Sequence, residues 1–171
     1  MPKKFSVGLF IGRFQPFHKG HMHAIMEAST LCERLIVGIG SSQVSGTPDN
    51  PLTALDRIKI IKAALRGSGI TDRGIKFISL PDFNDNDAWF AYIIKKAPNA
   101  DVVFSRNPIV KRIFNRHKMK VIEPKWYQRG RLSATEVRRT IRKGENWQHL
   151  VPNGAVHEIE KGKEKIIKAG K

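Results

Sequence analysis

Apolar positions along this chain follow two rhythms that take turns. Phe5, Val7, Leu9 and Ile11 form a short run between Lys4 and Gly12-Arg13, which predicts a buried strand over Phe5–Ile11. Met22, Ile25, Met26 and Leu31 then recur at helical spacing and predict a helix over Lys19–Leu31, with Cys32 continuing the helical pattern. Further strands are predicted at Leu35–Ile39, Ile75–Leu80, Asp101–Ser105 and Lys120–Ile122. Helices are predicted at Thr53–Leu65, Trp89–Lys96, Asn107–Arg116 and Ser133–Lys143, with Pro81–Asn86 as a loop. Thr53 followed by Asp56 resembles a capping box. The tail from Trp147 to Ile167 reads as helical, with a break near Pro152-Asn153-Gly154.

Strand–helix alternation with short apolar strands predicts an α/β fold. The expected form is a doubly wound, Rossmann-like parallel sheet of five strands, with helices on both faces and a helical C-terminal tail. A chain of 171 residues, 40% hydrophobic, is sized for one core. It is therefore read as a single domain over 1–171, with a core of about 5–145 and a tail of about 146–168. Ligands of such sheets bind beyond the carboxyl ends of the strands, near the point where strand order reverses. The loops after the first four strands, and any helix start returning to that edge, thus become the places to look.

Composition narrows the class. No stretch approaches the roughly 18 apolar residues of a membrane span. The N-terminus has no apolar signal region followed by a small-residue cleavage site, and the single Cys32 has no partner within the chain. A cytoplasmic protein without disulfides or a multi-cysteine metal site is expected. The charge is unusual: 31 Lys and Arg against 15 Asp and Glu give +16. Residues 87–171 carry +12 of it, and between Arg106 and Lys143 only Glu123 and Glu136 offset 13 bases. Such a field favours polyanions, nucleic acid or a nucleotide triphosphate alike, although most charge runs are solvated surface.

The loop after the first strand reads Gly12-Arg13-Phe14-Gln15-Pro16-Phe17-His18-Lys19-Gly20-His21. Gly12 lets the backbone leave the strand sharply, and Pro16 stiffens the turn. Gly20 and His21 open a helix whose unpaired N–H groups and positive dipole end attract phosphate. His18 and His21, three apart at that end, can both donate N–H bonds to phosphate oxygens. Without a third ligand at clear spacing they make a poor metal site. Near the other end, Leu132-Ser133-Ala134-Thr135-Glu136-Val137-Arg138-Arg139 starts a helix. Ser133 with Glu136 has the form of a capping box, a structural device. Thr135, Arg138 and Arg139 add hydroxyl and guanidinium donors suited to a triphosphate tail.

These two stretches resemble the paired motifs of the nucleotidyltransferase superfamily. The first is similar to its nicotinamide-nucleotide adenylyltransferase branch, archaeal type. The second departs from that pattern by Leu132 for Ile and Ala134 for Gly. Gly40-Ser41-Ser42-Gln43, Asn50-Pro51-Leu52-Thr53-Ala54 with Arg57, Pro81-Asp82 with Asn86 and Trp89, Ser105-Arg106-Asn107-Pro108 and Trp147-Gln148-His149-Leu150-Val151-Pro152 continue the likeness in family order, over roughly residues 5–160.

The resemblance implies transfer of AMP from ATP to nicotinamide mononucleotide (NMN), giving NAD and pyrophosphate. The acceptor phosphate, with a second pKa near about 6, is already an anion and needs no general base. His18, His21 and Arg138 are the catalytic candidates: the imidazoles at the α- and β-phosphates, the guanidinium at the β/γ end. Gly12, Arg13, Phe14, Gly20, Ser41, Ser133, Thr135 and Arg139 are expected to bind ATP. Asp82, Asn86 and Trp89 are expected to bind NMN, Trp89 by stacking and cation–π attraction to the cationic ring. An aromatic at a helix start is equally a packing residue, and Asp or Asn there equally a cap. Mg²⁺ is expected to arrive with ATP, since the chain shows no carboxylate cage. Deamidated NMN is a further candidate substrate, and a homo-oligomer, commonly a hexamer in the family, a candidate state. Within the superfamily, FMN, phosphopantetheine or glycerol phosphate are rival acceptors. From another class, a basic nucleic-acid-binding module is the rival. It lacks an aromatic strand platform, zinc spacing or a reader motif, so nucleic-acid contact is expected to be nonspecific and salt-dependent.

Overall fold

The computed structural model describes residues 3–70, 74–125, 127 and 132–170. Met1, Pro2, Arg129 and Arg131, which enter the sequence and charge reading, lie outside them. The chain divides into two compact units. One is built from Met1–Gly12, Ala24–Ser41 and Gly74–Lys125, the other from Arg13–His23, Ser42–Arg73 and Trp126–Lys171.

The first unit holds the sheet. Strands β1 (Phe5–Gly12), β2 (Cys32–Gly40), β3 (Ile75–Leu80), β4 (Val102–Phe104) and β5 (Lys120–Ile122) are all parallel, in the order β3-β2-β1-β4-β5. β1 is the central strand, and Val7–Ile11 is buried without interruption, because a strand covered on both faces needs apolar residues at every position. On one face Val7, Leu9, Ile11, Ile36, Ile78, Leu80 and Val103 form a core. Ile93 and Ala97 at the end of α3 (Asn86–Lys96) join it, as do Val110, Ile113 and Phe114 from α4 (Pro108–Arg116). On the other face the side chains of neighbouring strands fill the space over Gly8, where a Cβ would lie 2.6 Å from Cys32 Sγ and 2.8 Å from the Phe104 ring. Strand order reverses between β1 and β4, so right-handed crossovers place α1 (Lys19–Leu31) and α4 on opposite faces. The five-stranded, doubly wound, Rossmann-like fold expected from the sequence is the one found.

Two boundaries differ from expectation by three residues, the others by at most two. Cys32 does not continue α1; it opens β2 and pairs in register with Phe5. The helical rhythm ends at Leu31 because ladder pairing with β1 takes the backbone from the next residue onward. α3 starts at Asn86 instead of Trp89, capped by Asp85, whose carboxylate accepts the Ala88 N–H at 2.6 Å.

The second unit packs α2 (Ala54–Gly67), α5 (Ala134–Arg142), two 3₁₀ turns at Gln148–Leu150 and Asn153–Ala155, and α6 (Val156–Lys168). The capping box at the start of α2 is complete: Thr53 Oγ accepts from Asp56 N at 3.1 Å, and the Asp56 carboxylate accepts from Thr53 N at 3.0 Å. The break in the tail has a steric cause. A Cβ on Gly154 would lie 2.4 Å from the Ala63 carbonyl oxygen, and one on Gly67 2.7 Å from Gly154 Cα, so two glycines let backbone touch backbone. Part of the tail's charge is locally neutralised, by Lys161 with Glu158, Lys163 with Glu160 and Lys165 with Asp56. Among the described residues, no helix is long and apolar enough to cross a membrane.

Candidate active site

The loop leaving β1 is held in the second unit by side chains that bind backbone. Gln15, 2% exposed, donates from Nε2 to the Leu52 carbonyl at 2.8 Å and accepts the Leu52 N–H at 3.0 Å, as a neighbouring strand would. Arg57, wholly buried, donates to the Arg13 carbonyl at 2.8 Å and the Thr53 carbonyl at 3.2 Å. Arg138 donates to the Gln15 carbonyl at 2.9 Å. The Gln15–Pro16 peptide is cis, and Phe14 takes φ 54°. A left-handed phenylalanine is costly unless its surroundings enforce it; here the ring is 1% exposed, edge-on to His21 at 4.9 Å. Phe14 thus supports His21, and any contact it makes with a ligand must come from its backbone.

The two imidazoles are stacked, ring centroids 3.7 Å apart and planes 28° from parallel. The Gly20 N–H donates to His18 Nδ1 at 3.1 Å, and the His18 N–H to His21 Nδ1 at 3.4 Å. A ring nitrogen that accepts carries no proton, so both neutral rings keep theirs on Nε2. The backbone thereby selects the same tautomer twice and makes each Nε2 a donor. One of the helix-start N–H groups expected to meet phosphate, that of Gly20, is instead engaged by His18. Gly20 is required by space: a Cβ there would lie 2.9 Å from His18 Cε1 and 3.0 Å from Nδ1.

In the same unit, α5 presents Arg138, 4% exposed. Its neighbours Val137 and Ile141 are buried, so Arg138 lies on the inward stripe and Arg139 lies off it. One Arg138 nitrogen donates to Asp49 at 2.8 Å and lies 3.4 Å from Thr135 Oγ, while Nε has no partner among the described residues. Burial draws the guanidinium pKa below its ordinary value; Asp49 opposes that shift, and the charges of Arg142 and Arg13 reinforce it. Arg13 is therefore near enough to Arg138 to add to the same positive field. Ser133 is the N-cap of α5, accepting from Glu136 N at 3.1 Å. Only half of the predicted box forms, because the Glu136 carboxylate turns to Arg139 at 2.6 and 2.9 Å. Arg139 is an exposed, locally paired residue, unlike Arg138.

The NMN candidates, with Gly12 and Ser41 of the ATP set, belong to the first unit, at the carboxyl ends of its strands. Gly12 ends β1. Ser41, just past β2, takes φ 47° and donates from Oγ to Asp82 at 3.1 Å. A left-handed serine is unusual and marks a loop held in a set shape. Asp82 follows Pro81, whose carbonyl accepts the Trp89 indole N–H at 3.0 Å. Trp89 is half-buried, edge-on to Phe114 at 6.3 Å, and packs at the rim of the core. Asn86, exposed, begins α3. Ser41, Asp82 and Trp89 are thus linked through one short loop, while Trp89 also packs against the core as its alternative reading required.

Asp49 carries no announcing sequence pattern, and Gln15 and Arg57 stand out only as parts of longer motifs. A buried Gln-to-backbone clamp and an ion pair across 89 positions leave no local rhythm to read.

Residues 9–140 match the cytidylyltransferase-like family. The nicotinamide-nucleotide adenylyltransferase of Thermococcus kodakarensis is 39% identical over 161 residues, 93% of this chain and 86% of that protein. That of Methanolobus tindarius is 40% identical over 153 residues, 88% of this chain and 86% of that protein. The bifunctional NMN adenylyltransferase/ADP ribose pyrophosphatase of Francisella tularensis, solved with AMP and a Mn ion, shares the fold with a TM-score of 0.76 at 23% identity. That likeness covers 95% of this chain and 52% of the other, so this chain spans about half its length. On the family match over most of its length and the identity to its archaeal relatives, the chain belongs to the cytidylyltransferase-like family and, within it, to the nicotinamide-nucleotide adenylyltransferases.

Proposed function

We propose that this chain joins the AMP moiety of ATP to NMN, forming NAD and releasing pyrophosphate. The observation that carries the reading is the pair of imidazoles fixed by backbone N–H groups as Nε2 donors, on a loop that α5 grips through Arg138. In this reading an NMN phosphate oxygen attacks the α-phosphorus of ATP in line, the new P–O bond forms, and the bond to the β-phosphate oxygen breaks. His18 and His21 donate to the α- and β-phosphate oxygens as negative charge shifts toward the leaving pyrophosphate. Arg138 meets the β/γ end, Arg13 adds positive potential, and Thr135 and the start of α5 contribute further donors. Gly12, Phe14, Gly20, Ser41, Ser133 and Arg139 complete the ATP assignment, Phe14 through backbone.

In this reading the metal belongs to the substrate. Among the described residues, no group of three or more His, Cys, Asp or Glu is placed to hold an ion. A divalent cation, Mg²⁺ in the first instance, would ride on the triphosphate and neutralise its charge. Asp82 and Asn86 would receive the carboxamide of NMN and Trp89 its cationic ring; deamidated NMN would test whether the carboxamide matters. The two units together are read as one nucleotidyltransferase domain over 1–171, in keeping with a family match at residues 9–140 that draws on both. A cytoplasmic homo-oligomer belongs to the same reading, a hexamer being the form to look for, as does salt-sensitive, nonspecific nucleic-acid contact from the +16 charge.

The experiment is pyrophosphate release from ATP and Mg²⁺ with NMN, deamidated NMN, FMN and phosphopantetheine as acceptors. Release with NMN, and NAD as product, is expected; release with FMN or phosphopantetheine alone would overturn the acceptor. Trp89→Ala should raise the KM for NMN about tenfold, the order of a lost stacking and cation–π contact, with the KM for ATP within twofold of wild type. An unchanged NMN KM would return Trp89 to core packing alone.

A further inference from the structure

The loop between β2 and α2 carries a feature that the assigned roles leave unused. Residues 45–49 are exposed, and the segment folds on itself: Gly46 N donates to the Pro51 carbonyl at 3.4 Å, and Asn50 N to the Thr47 carbonyl at 3.1 Å. It is fastened to α5 at two adjacent residues by two arginines one turn apart. Arg138 holds the Asp49 carboxylate at 2.8 Å, and Arg142 donates to the Pro48 carbonyl at 2.6 Å. The Asp49–Arg138 pair is lopsided, the arginine side chain 5% exposed and the aspartate 75%. A buried guanidinium requires a counter-anion, whereas a solvated carboxylate has little need of a partner. Asp49 is the one carboxylate paired with Arg138 among the described residues. A triphosphate bound by Arg138 would compete for the nitrogen that Asp49 holds, because Gln15 takes another and the unpartnered Nε is buried.

We propose that Asp49 is a resident stand-in for phosphate: it neutralises Arg138 while the site is empty and is displaced by the phosphate tail of ATP. The inference rests on the assignment of ATP to Arg138 and deepens it by naming what the nucleotide competes with. A carboxylate carries one negative charge and a triphosphate several, so the exchange runs toward the nucleotide. Each exchange nevertheless breaks one ion pair, which weakens ATP binding. Among the described residues, displacing Asp49 leaves Arg142 as the side-chain tie between this loop and α5, so ATP binding also loosens residues 46–50. Asp49 thereby acts on the nucleotide through Arg138, as a positioning residue with no contact to the reacting atoms.

The test compares wild type, Asp49→Asn and Asp49→Glu by calorimetric titration with ATP–Mg²⁺, by melting with and without saturating ATP, and by turnover. Asp49→Asn should bind ATP about two- to fivefold tighter, the worth of a partly exposed ion pair, with kcat within twofold of wild type. Its Tm should fall in the empty protein and match wild type with ATP bound, so the ATP-induced Tm rise is larger in the variant. Asp49→Glu should restore wild-type affinity. Equal loss of Tm with and without ATP would reduce Asp49 to a structural role and overturn the proposal. So would weaker ATP binding in Asp49→Asn. A wild-type protein that bound no ATP would overturn the ATP assignment itself, an outcome separate from the other two.

Discussion

His21→Ala is expected to lower kcat for adenylyl transfer by about a hundred- to a thousandfold, the usual effect of removing one donor aimed at developing negative charge. The reason lies in how the ring is set. Its Nδ1 accepts the His18 N–H at 3.4 Å, so the proton sits on Nε2, and Phe14 and Phe17 pack against it at 4.9 and 5.6 Å. A donor held in place before the reaction needs little reorganisation as charge shifts, and its removal is felt mainly in the transition state. ATP binding should therefore change far less than turnover. Steady-state kinetics with NMN, paired with calorimetric ATP affinity, separates the two. Near-normal turnover would take His21 out of the mechanism.

Gly20→Ala should divide stability from activity in the opposite way to most substitutions. Alanine is the better helix former by about 1 kcal/mol in a helix interior, which partly offsets the cost of the added methyl at this helix start, so the melting temperature should change little. The added methyl, however, would sit 2.9 Å from His18 Cε1, and 3.5 Å from Leu132 Cδ2 on its other side. His18 is 8% exposed and stacked 3.7 Å from His21, so it yields only by giving up its bond from the Gly20 N–H. A displacement of this kind, near 1 Å, costs about a hundredfold in rate. The predicted result is a folded protein with a Tm near that of wild type and kcat/KM reduced about a hundredfold. Full activity would mean that the tautomer set by Gly20 is unimportant.

Local pattern made most of the fold legible. The period-two and period-3.6 rhythms located every strand and helix, and Thr53 with Asp56 announced a capping box that forms completely. The errors came where a neighbour in space overrode the local rhythm. Cys32 joins β2 because Phe5 pairs with it, and α3 begins at Asn86 because Asp85 caps it. At the candidate site, the loop with its two histidines was visible as a motif, but the device that sets their protons was not. It depends on backbone N–H groups folding back onto ring nitrogens, and composition carries no trace of that. Arg138 and Arg139 looked alike in the sequence and differ in the structure by one helical step, the first inward with Val137 and Ile141, the second outward to Glu136. The buried stripe of α5 held that distinction in advance. Asp49, Gln15 and Arg57 act over separations of 89, 37 and 44 residues, where no periodicity reaches.

The seam between β1 and β2 gives the sheet a chemical reporter. The only sulfhydryl in the chain, Cys32, is 3% exposed beneath Gly8, and its pKa is pushed up to about 11, chiefly by burial and secondarily by Asp101. At neutral pH almost none of it is thiolate, so an alkylating or disulfide reagent has nothing to attack until the strands part. The labelling rate of this one side chain then counts openings of the central sheet.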